Sequence, residues 1–266
     1  MNEMLMTIQT LLAQINPCVG DIQNNKKAIL DIIAKHPNHD IIIFPELALC
    51  GYPPEDLLLY PGFKEEIEAA TQEISQFTTQ SLIILGTVYQ GFNAAAIISQ
   101  QKIQYYYKHI LPNYGVFDEK RYFQSGPMEL FQFELKNHRF GLMICEDIWD
   151  EHITQRLPKG LDTLVSIHAS PFHQQKMHER LQTIKNISQE NIKLIYVNQV
   201  GGQDGLLFDG QSMVVSPNHH ITAKAKAFDT DLLSVELKNN QWIGRIEKSL
   251  SPLAEIYQGL CLGLKD

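Results

Sequence analysis

The sequence predicts an α/β domain built on a mixed sheet system. Short β-rich apolar runs alternate with segments of helical spacing along most of the chain. Some runs, such as Ile41-Ile42-Ile43-Phe44, are apolar without alternation, the pattern of a strand covered on both faces. The chain has 266 residues and is 44% apolar, enough to fill one substantial core.

In order, residues 8–14 read as a strand, and residues 24–35 as a helix in which Ile29, Ile32 and Ile33 share a face. Residues 41–44 read as a buried strand. Residues 56–77 are polar, acidic and mostly helical, with a break at Pro61-Gly62. Strands are expected at 82–89, 94–99, 102–108, 130–135 and 140–144. The second half continues with a strand at 164–168, a helix at 174–190, and strands at 194–200, 211–216 and 232–236. Gly201-Gly202 reads as a turn. At the tail, Ser251 can cap a helix and Pro252 can occupy its first position. Leu253, Ile256, Leu260 and Leu264 then form an apolar stripe, an expected interface, and the pattern reaches Asp266 without a C-cap. No repeat or low-complexity linker divides the chain. Residues 1–250 read as one domain and residues 251–266 as the start of a linker helix.

Composition narrows the function classes. A net charge of −8 without a basic cluster argues against nucleic-acid binding. The first eight residues lack the basic region of a signal peptide, and no apolar run reaches the ~20 residues of a membrane helix. Cys18, Cys50, Cys145 and Cys261 are far apart and form no C-x-x-C pair. Free thiols in a reducing cytoplasm are the expectation.

Three strand ends carry reactive side chains. In Gly141-Leu142-Met143-Ile144-Cys145-Glu146-Asp147 a buried strand ends in a sharp turn with a thiol at its tip and a helix starting near Asp147. Glu46 follows one apolar strand, and Lys108 follows a tyrosine run. Each has a bland alternative: a packing cysteine, a capping acid, a solvated lysine. Together they suit nucleophilic catalysis. Glu46 would act as general base and Lys108 would stabilise negative charge. Cys145 would attack a carbonyl or nitrile carbon to form a thioester, which water then hydrolyses. This chemistry needs no metal. His168, His173 and His178 match no metal-ligand spacing, and Gly201-Gly202 lacks the Lys-Ser/Thr of a phosphate loop.

The segments Phe44-Pro45-Glu46-Leu47, Lys108-His109-Ile110-Leu111-Pro112 and Ile144-Cys145-Glu146-Asp147 resemble, in this order, the three motifs of the nitrilase (carbon–nitrogen hydrolase) superfamily. Within it, the chain is similar to the glutaminase domains of glutamine-dependent NAD synthetases. Carrying segments are Gly51-Tyr52-Pro53-Pro54-Glu55-Asp56-Leu57, Leu111-Pro112-Asn113-Tyr114-Gly115-Val116-Phe117-Asp118-Glu119-Lys120-Arg121-Tyr122-Phe123, Ala169-Ser170-Pro171-Phe172, Val197-Asn198-Gln199-Val200-Gly201-Gly202-Gln203-Asp204 and Phe208-Asp209-Gly210-Gln211-Ser212.

The resemblance implies an αββα sandwich, with Glu119 ordering the triad and Tyr52 in the pocket. It implies that Tyr114, Ser170 and Lys176 contact glutamine. Lys176 would pair with its α-carboxylate, Glu146 or another acid would meet its α-ammonium, and Trp149 would wall the pocket. His168, Phe172 and Gly205 depart from the family pattern, where Asn, Tyr and an acid are usual. The implied reaction converts L-glutamine to glutamate and ammonia, the ammonia serving to amidate nicotinate adenine dinucleotide. That step belongs to a synthetase domain, normally on the same chain, which uses ATP and Mg. Its Ser-Gly-Gly-x-Asp-Ser motif is absent from these residues, and the glutaminase part needs no cofactor. Family members form homo-oligomers. Two other readings are a free-standing nitrilase-type amidase for another small amide and a non-catalytic interaction domain.

Overall fold

A computed structural model describes residues 7–77, 79–185, 187 and 191–266. In chain order the first half contains β1 (Ile8–Gln14), α1 (Ile22–Lys35), β2 (Ile41–Ile43), α2 (Phe63–Gln76), β3 (Leu82–Tyr89), β4 (Phe92–Ser99), β5 (Lys102–Tyr107), β6 (Phe131–Leu135) and β7 (His138–Ile144). There follow α3 (Glu151–Thr154), β8 (Thr163–His168), α4 (Lys176–Lys185), β9 (Lys193–Asn198), β10 (Val200–Gln203), β11 (Leu206–Asp209), β12 (Met213–Val215), β13 (Ile221–Lys224), β14 (Asp231–Lys238), β15 (Gln241–Gly244) and α5 (Pro252–Lys265).

One sheet has the order β15-β14-β1-β2-β3-β4-β5 and the other β13-β12-β9-β8-β7-β6. Parallel pairing joins β1, β2 and β3 at the centre of the first sheet and β7, β8 and β9 at the centre of the second. The alternation of side chains along a strand then sorts the core into layers. Ile41 and Ile43 point between the sheets, where they meet Ile144, Val165 and Val197. Ile42 points outward onto α1 and α2, with Ile29, Ile33, Ile67 and Ile74. Met143, Leu164 and Tyr196 face the other outer layer, against Ile148 and Ile184. Strands sandwiched in this way have no polar face, which explains the continuous apolar runs. The result is the αββα sandwich that the family resemblance implies.

Several local expectations need correction. Helix α1 begins at Ile22, because the Asp21 carboxylate accepts the Asn24 N–H at 3.2 Å. No helix starts at Asp147; a 3-10 turn runs over Cys145–Trp149 and α3 follows. The strand expected over 194–200 breaks at Gln199, and Gly201-Gly202 lies within β10 instead of a turn. The β10–β11 hairpin turns at Asp204-Gly205, with φ of 49° and 79°. Two successive left-handed residues are the signature of a tight hairpin turn, which suits Gly at the second position. Strands β13 and β15 are also unforeseen, being short and weakly apolar. The predicted helix end at 186 and 188–190, and residues 1–6, lie outside the described residues.

Helix α5 starts as expected, with the Ser251 hydroxyl accepting the Ala254 N–H at 3.3 Å and Pro252 in the first turn. Its packing face is Gly259, Leu262 and Gly263, set on Leu207 of the hairpin and on Val200 and Phe228. A Cβ on Gly263 would stand 2.9 Å from a Leu207 methyl, so close approach selects the small face. Leu253, Leu260 and Leu264, at 76%, 67% and 90% exposure, face solvent.

Candidate active site

Glu46 stands just beyond β2, where strand β3 passes close beneath it. A Cβ at Gly86 would lie 2.1 Å from the Pro45 carbonyl oxygen, so only glycine admits this approach. The Glu46 carboxylate is fully buried and fully engaged. Its Oε1 accepts from Lys108 Nζ at 2.7 Å and Asn93 Nδ2 at 2.8 Å, and its Oε2 accepts the Ala169 N–H at 2.8 Å.

Lys108 leaves β5 with its N–H bonded to the Asn93 carbonyl. Its ammonium bridges two carboxylates, Glu46 and Glu119, the latter at 2.8 Å. The Tyr52 hydroxyl donates to the same Glu119 oxygen at 2.9 Å. Burial disfavours the Lys108 charge, yet Glu119 and Glu46 outweigh it and hold the ammonium charged well above its ordinary range. Two acids sharing one cation are not equally served. Burial, helped by the Glu46 charge and opposed by Lys108, pushes the Glu119 carboxyl up to about 7.

Cys145 follows β7 with φ of 45°, a left-handed conformation that a non-glycine residue adopts at some cost. Burial and the neighbouring Glu46 raise its thiol well above the usual range, against the opposing pull of Lys108. The resting thiol is therefore protonated, and a base must take its proton as the sulfur attacks.

The thiol opens onto a cavity of about 410 Å³ lined also by Tyr114, Phe117, Glu146, Trp149, Ser170 and Lys176. Glu146 accepts the Tyr114 hydroxyl at 2.8 Å. The Lys176 ammonium lies 4.7 Å from the Trp149 ring centre and 3.7 Å from Glu179. The structure thus gathers Tyr114, Glu146, Trp149, Ser170 and Lys176 around the thiol, with Glu46, Lys108 and Glu119 as a buried cluster whose charges act on it. Tyr52 is placed differently from the expected pocket position. It is 3% exposed, sits against Glu119 and packs edge-on to Phe208, so it orders the acid and does not line this cavity.

His168 and His173 lie apart, each with a partner of its own. His168 lies flat on Tyr196 at 3.7 Å, and His173 pairs with Glu179 at 3.1 Å. Among the described residues no group of three or more His, Cys, Asp or Glu side chains is arranged to hold a metal.

Other side chains of the site escape the sequence reading. Asp147 Oδ1 accepts the N–H groups of His109 and Ile110 at 3.0 and 2.9 Å. Its Oδ2 accepts the Tyr106 hydroxyl at 2.8 Å and the Ile144 N–H at 3.2 Å. One buried carboxylate thereby joins the lysine loop to the cysteine turn. It stands inside the cysteine motif, but its sequence signal reads as an ordinary helix start. Asn93 and Arg180 show no sequence signal, and Asp209, though inside one of the resembling segments, has no role that the sequence reading assigns.

The carbon-nitrogen hydrolase family model matches residues 5–244. A glutamine-dependent NAD(+) synthetase of Acinetobacter baylyi is 37% identical over 98% of this chain and 50% of its own length. One of Aquifex aeolicus is 43% identical over 85% of this chain and 41% of its own. The solved glutamine-dependent NAD+ synthetase of Acinetobacter baumannii, in complex with ADP, superposes with a TM-score of 0.91 at 37% identity, over 98% of this chain and 52% of that one. The chain thus spans about half the length of these relatives. A Nesterenkonia amidase of the nitrilase superfamily, 21% identical, shares the fold with a TM-score of 0.75 over 87% of this chain and 91% of its own. A matched family model over most of its length, on a sandwich that assembles Glu46, Lys108 and Cys145, places this chain in the carbon–nitrogen hydrolase family.

Proposed function

We propose that this chain hydrolyses L-glutamine to glutamate and ammonia through a thioester on Cys145. The observation that carries the reading is the charge set of one cavity, whose lining brings Cys145 together with Lys176 and Glu146. A cation and an anion beside a thiol complement the α-carboxylate and α-ammonium of an amino acid whose side-chain amide reaches the sulfur. A simple aliphatic amide would leave both charges unanswered.

In the first step the sulfur attacks the amide carbon and Glu46 takes the thiol proton. Lys108 stabilises the developing oxyanion. Glu46 returns the proton to the leaving nitrogen, ammonia departs and the thioester remains. Glu46 then draws a proton from water, whose oxygen attacks the thioester carbon, and glutamate leaves with the thiol restored. Glu119 keeps Lys108 charged and oriented.

The ammonia serves to amidate nicotinate adenine dinucleotide in a synthetase domain normally joined to this one, where ATP and Mg act. Support comes from relatives named glutamine-dependent NAD(+) synthetase that are about twice as long as the part matched. Residues 251–266 would lead toward that domain. The setting is a reducing cytoplasm, consistent with Cys18, Cys50, Cys145 and Cys261 as free thiols, and the assembly is a homo-oligomer. Among the described residues no helix is long and apolar enough to cross a membrane.

The test measures ammonia release from glutamine, asparagine and an aliphatic amide. Glutamine should be strongly preferred, and Cys145→Ala should lower the rate by about 10⁴-fold or more. Equal rates on all three amides would make the chain a general amidase. No release, and no labelling of Cys145 by a glutamine-shaped electrophile, would make it a non-catalytic domain.

A further inference from the structure

We propose that Arg180 and Asp209 are positioning residues that hold two walls of the substrate cavity at once, and so set substrate affinity more than turnover. The proposal rests on the reading of that cavity as the glutamine site.

Arg180 lies on α4 one turn after Lys176, so the two side chains occupy the same helix side. Lys176 reaches the cavity, while Arg180 is 1% exposed beneath it. Its guanidinium makes a two-pronged pair with Asp209 of β11, Nη1 to Oδ2 at 2.9 Å and Nη2 to Oδ1 at 2.7 Å. The same Nη2 donates to the Ser170 carbonyl at 3.1 Å. Asn198 completes the grip, its Oδ1 accepting the Ser170 N–H at 2.9 Å. Next door, Leu207 of β11 accepts the Phe172 N–H at 2.6 Å.

One guanidinium therefore ties three parts together: the helix that presents Lys176, the strand end that presents Ser170, and the β10–β11 hairpin. Planar two-pronged bonding fixes direction as well as distance, and a lysine in this place would be a point charge without that geometry. Burying such a pair is costly, and an apolar pair of similar volume can be as stable. Stability alone thus does not account for its place under the pocket. Glu46 and Lys108 are also bonded to Asn93 and Glu119, outside the clamp, and the one bond from the held segment to this cluster, the Ala169 N–H to Glu46 Oε2, precedes Ser170, so the main effect is expected on the walls.

Two variants test this. Arg180→Lys keeps the charge and loses the fork. The double change Arg180→Met with Asp209→Leu removes both charges and avoids stranding either one. Each folded variant is compared with wild type in melting temperature, in KM and kcat for glutamine, and in hydrogen exchange of the Ser170 and Phe172 amides. The expected result is a KM raised at least about tenfold, kcat within about threefold, and local exchange at least about tenfold faster. Amides of β8 at 163–167 should be unchanged. Unaltered exchange at Ser170 and Phe172, in a variant with or without activity, overturns the clamp. So does unaltered KM in an active one, or a fall confined to kcat. If wild type releases no ammonia, the glutamine reading fails separately, and the exchange measurement alone decides the clamp.

Discussion

Glu119 and Glu46 share the ammonium of Lys108, and this sharing leaves Glu119 as a buried acid that titrates near neutrality. Its proton is held up to about 7 in the fold, against an ordinary 4.5. Between those values the folded chain keeps a proton that the unfolded chain releases. The group's contribution to stability is therefore complete below about 4.5 and is lost as pH rises through 7. Glu119→Gln removes this titration. Relative to the variant, wild type should lose on the order of 2–3 kcal/mol between pH 4.5 and pH 8, read from denaturant midpoints across that range. Parallel curves for the two proteins would show that Glu119 does not titrate there. The same ionisation adds a negative charge near Cys145 to those of Glu46 and Glu146, so Glu119 also bears on the thiol.

At the scale of elements, the site depends on how closely strands and loops pass. The Glu46 turn rests on β3 at Gly86, with backbone on each side: the Pro45 carbonyl at 2.1 Å and the Leu47 nitrogen at 2.4 Å from a would-be Cβ. Neither neighbour is a flexible side chain that could give way. Gly86→Ala should cost about 2–4 kcal/mol and strongly reduce ammonia release, because Glu46 lies between the two displaced atoms. A variant with wild-type denaturant midpoint and rate would show that the turn can move aside. The strands themselves were readable: the β3 bounds found, Leu82–Tyr89, coincide with those expected from its apolar run. The β10–β11 hairpin was not, since Gly201-Gly202 has no strand signal and pairs only because Leu207 and Phe208 lie opposite.

For the whole molecule, α5 is a bound element of the sandwich and not a detached tail. Its small face covers Val200, Phe228 and Leu207, and the Asp266 carboxylate accepts from Asn16 and from the Gly202 N–H. Removing residues 251–266 should lower stability by about 2–4 kcal/mol, seen in thermal melting, and uncover apolar surface that binds a hydrophobic dye. Leu260→Gln and Leu264→Gln, on the solvent face, should each stay within about 0.5 kcal/mol of wild type. A large loss from either would mean that the stripe is already covered by another copy of the chain.

The alternation of strands and helices, the helix at Ser251-Pro252, and the candidates Glu46, Lys108 and Cys145 are legible in the sequence. Each is written in contiguous residues, as apolar period, capping chemistry or a motif. Folding alone settled the rest. Ala169 meets Glu46 across 123 residues, Tyr52 meets Glu119 across 67, and Arg180 meets Asp209 across 29. Such bonds impose no period on the chain, because each partner needs one polar atom at one point in space. The direction faced by the α5 stripe belongs with them, since packing space at Leu207 chose the glycine face over the leucine face.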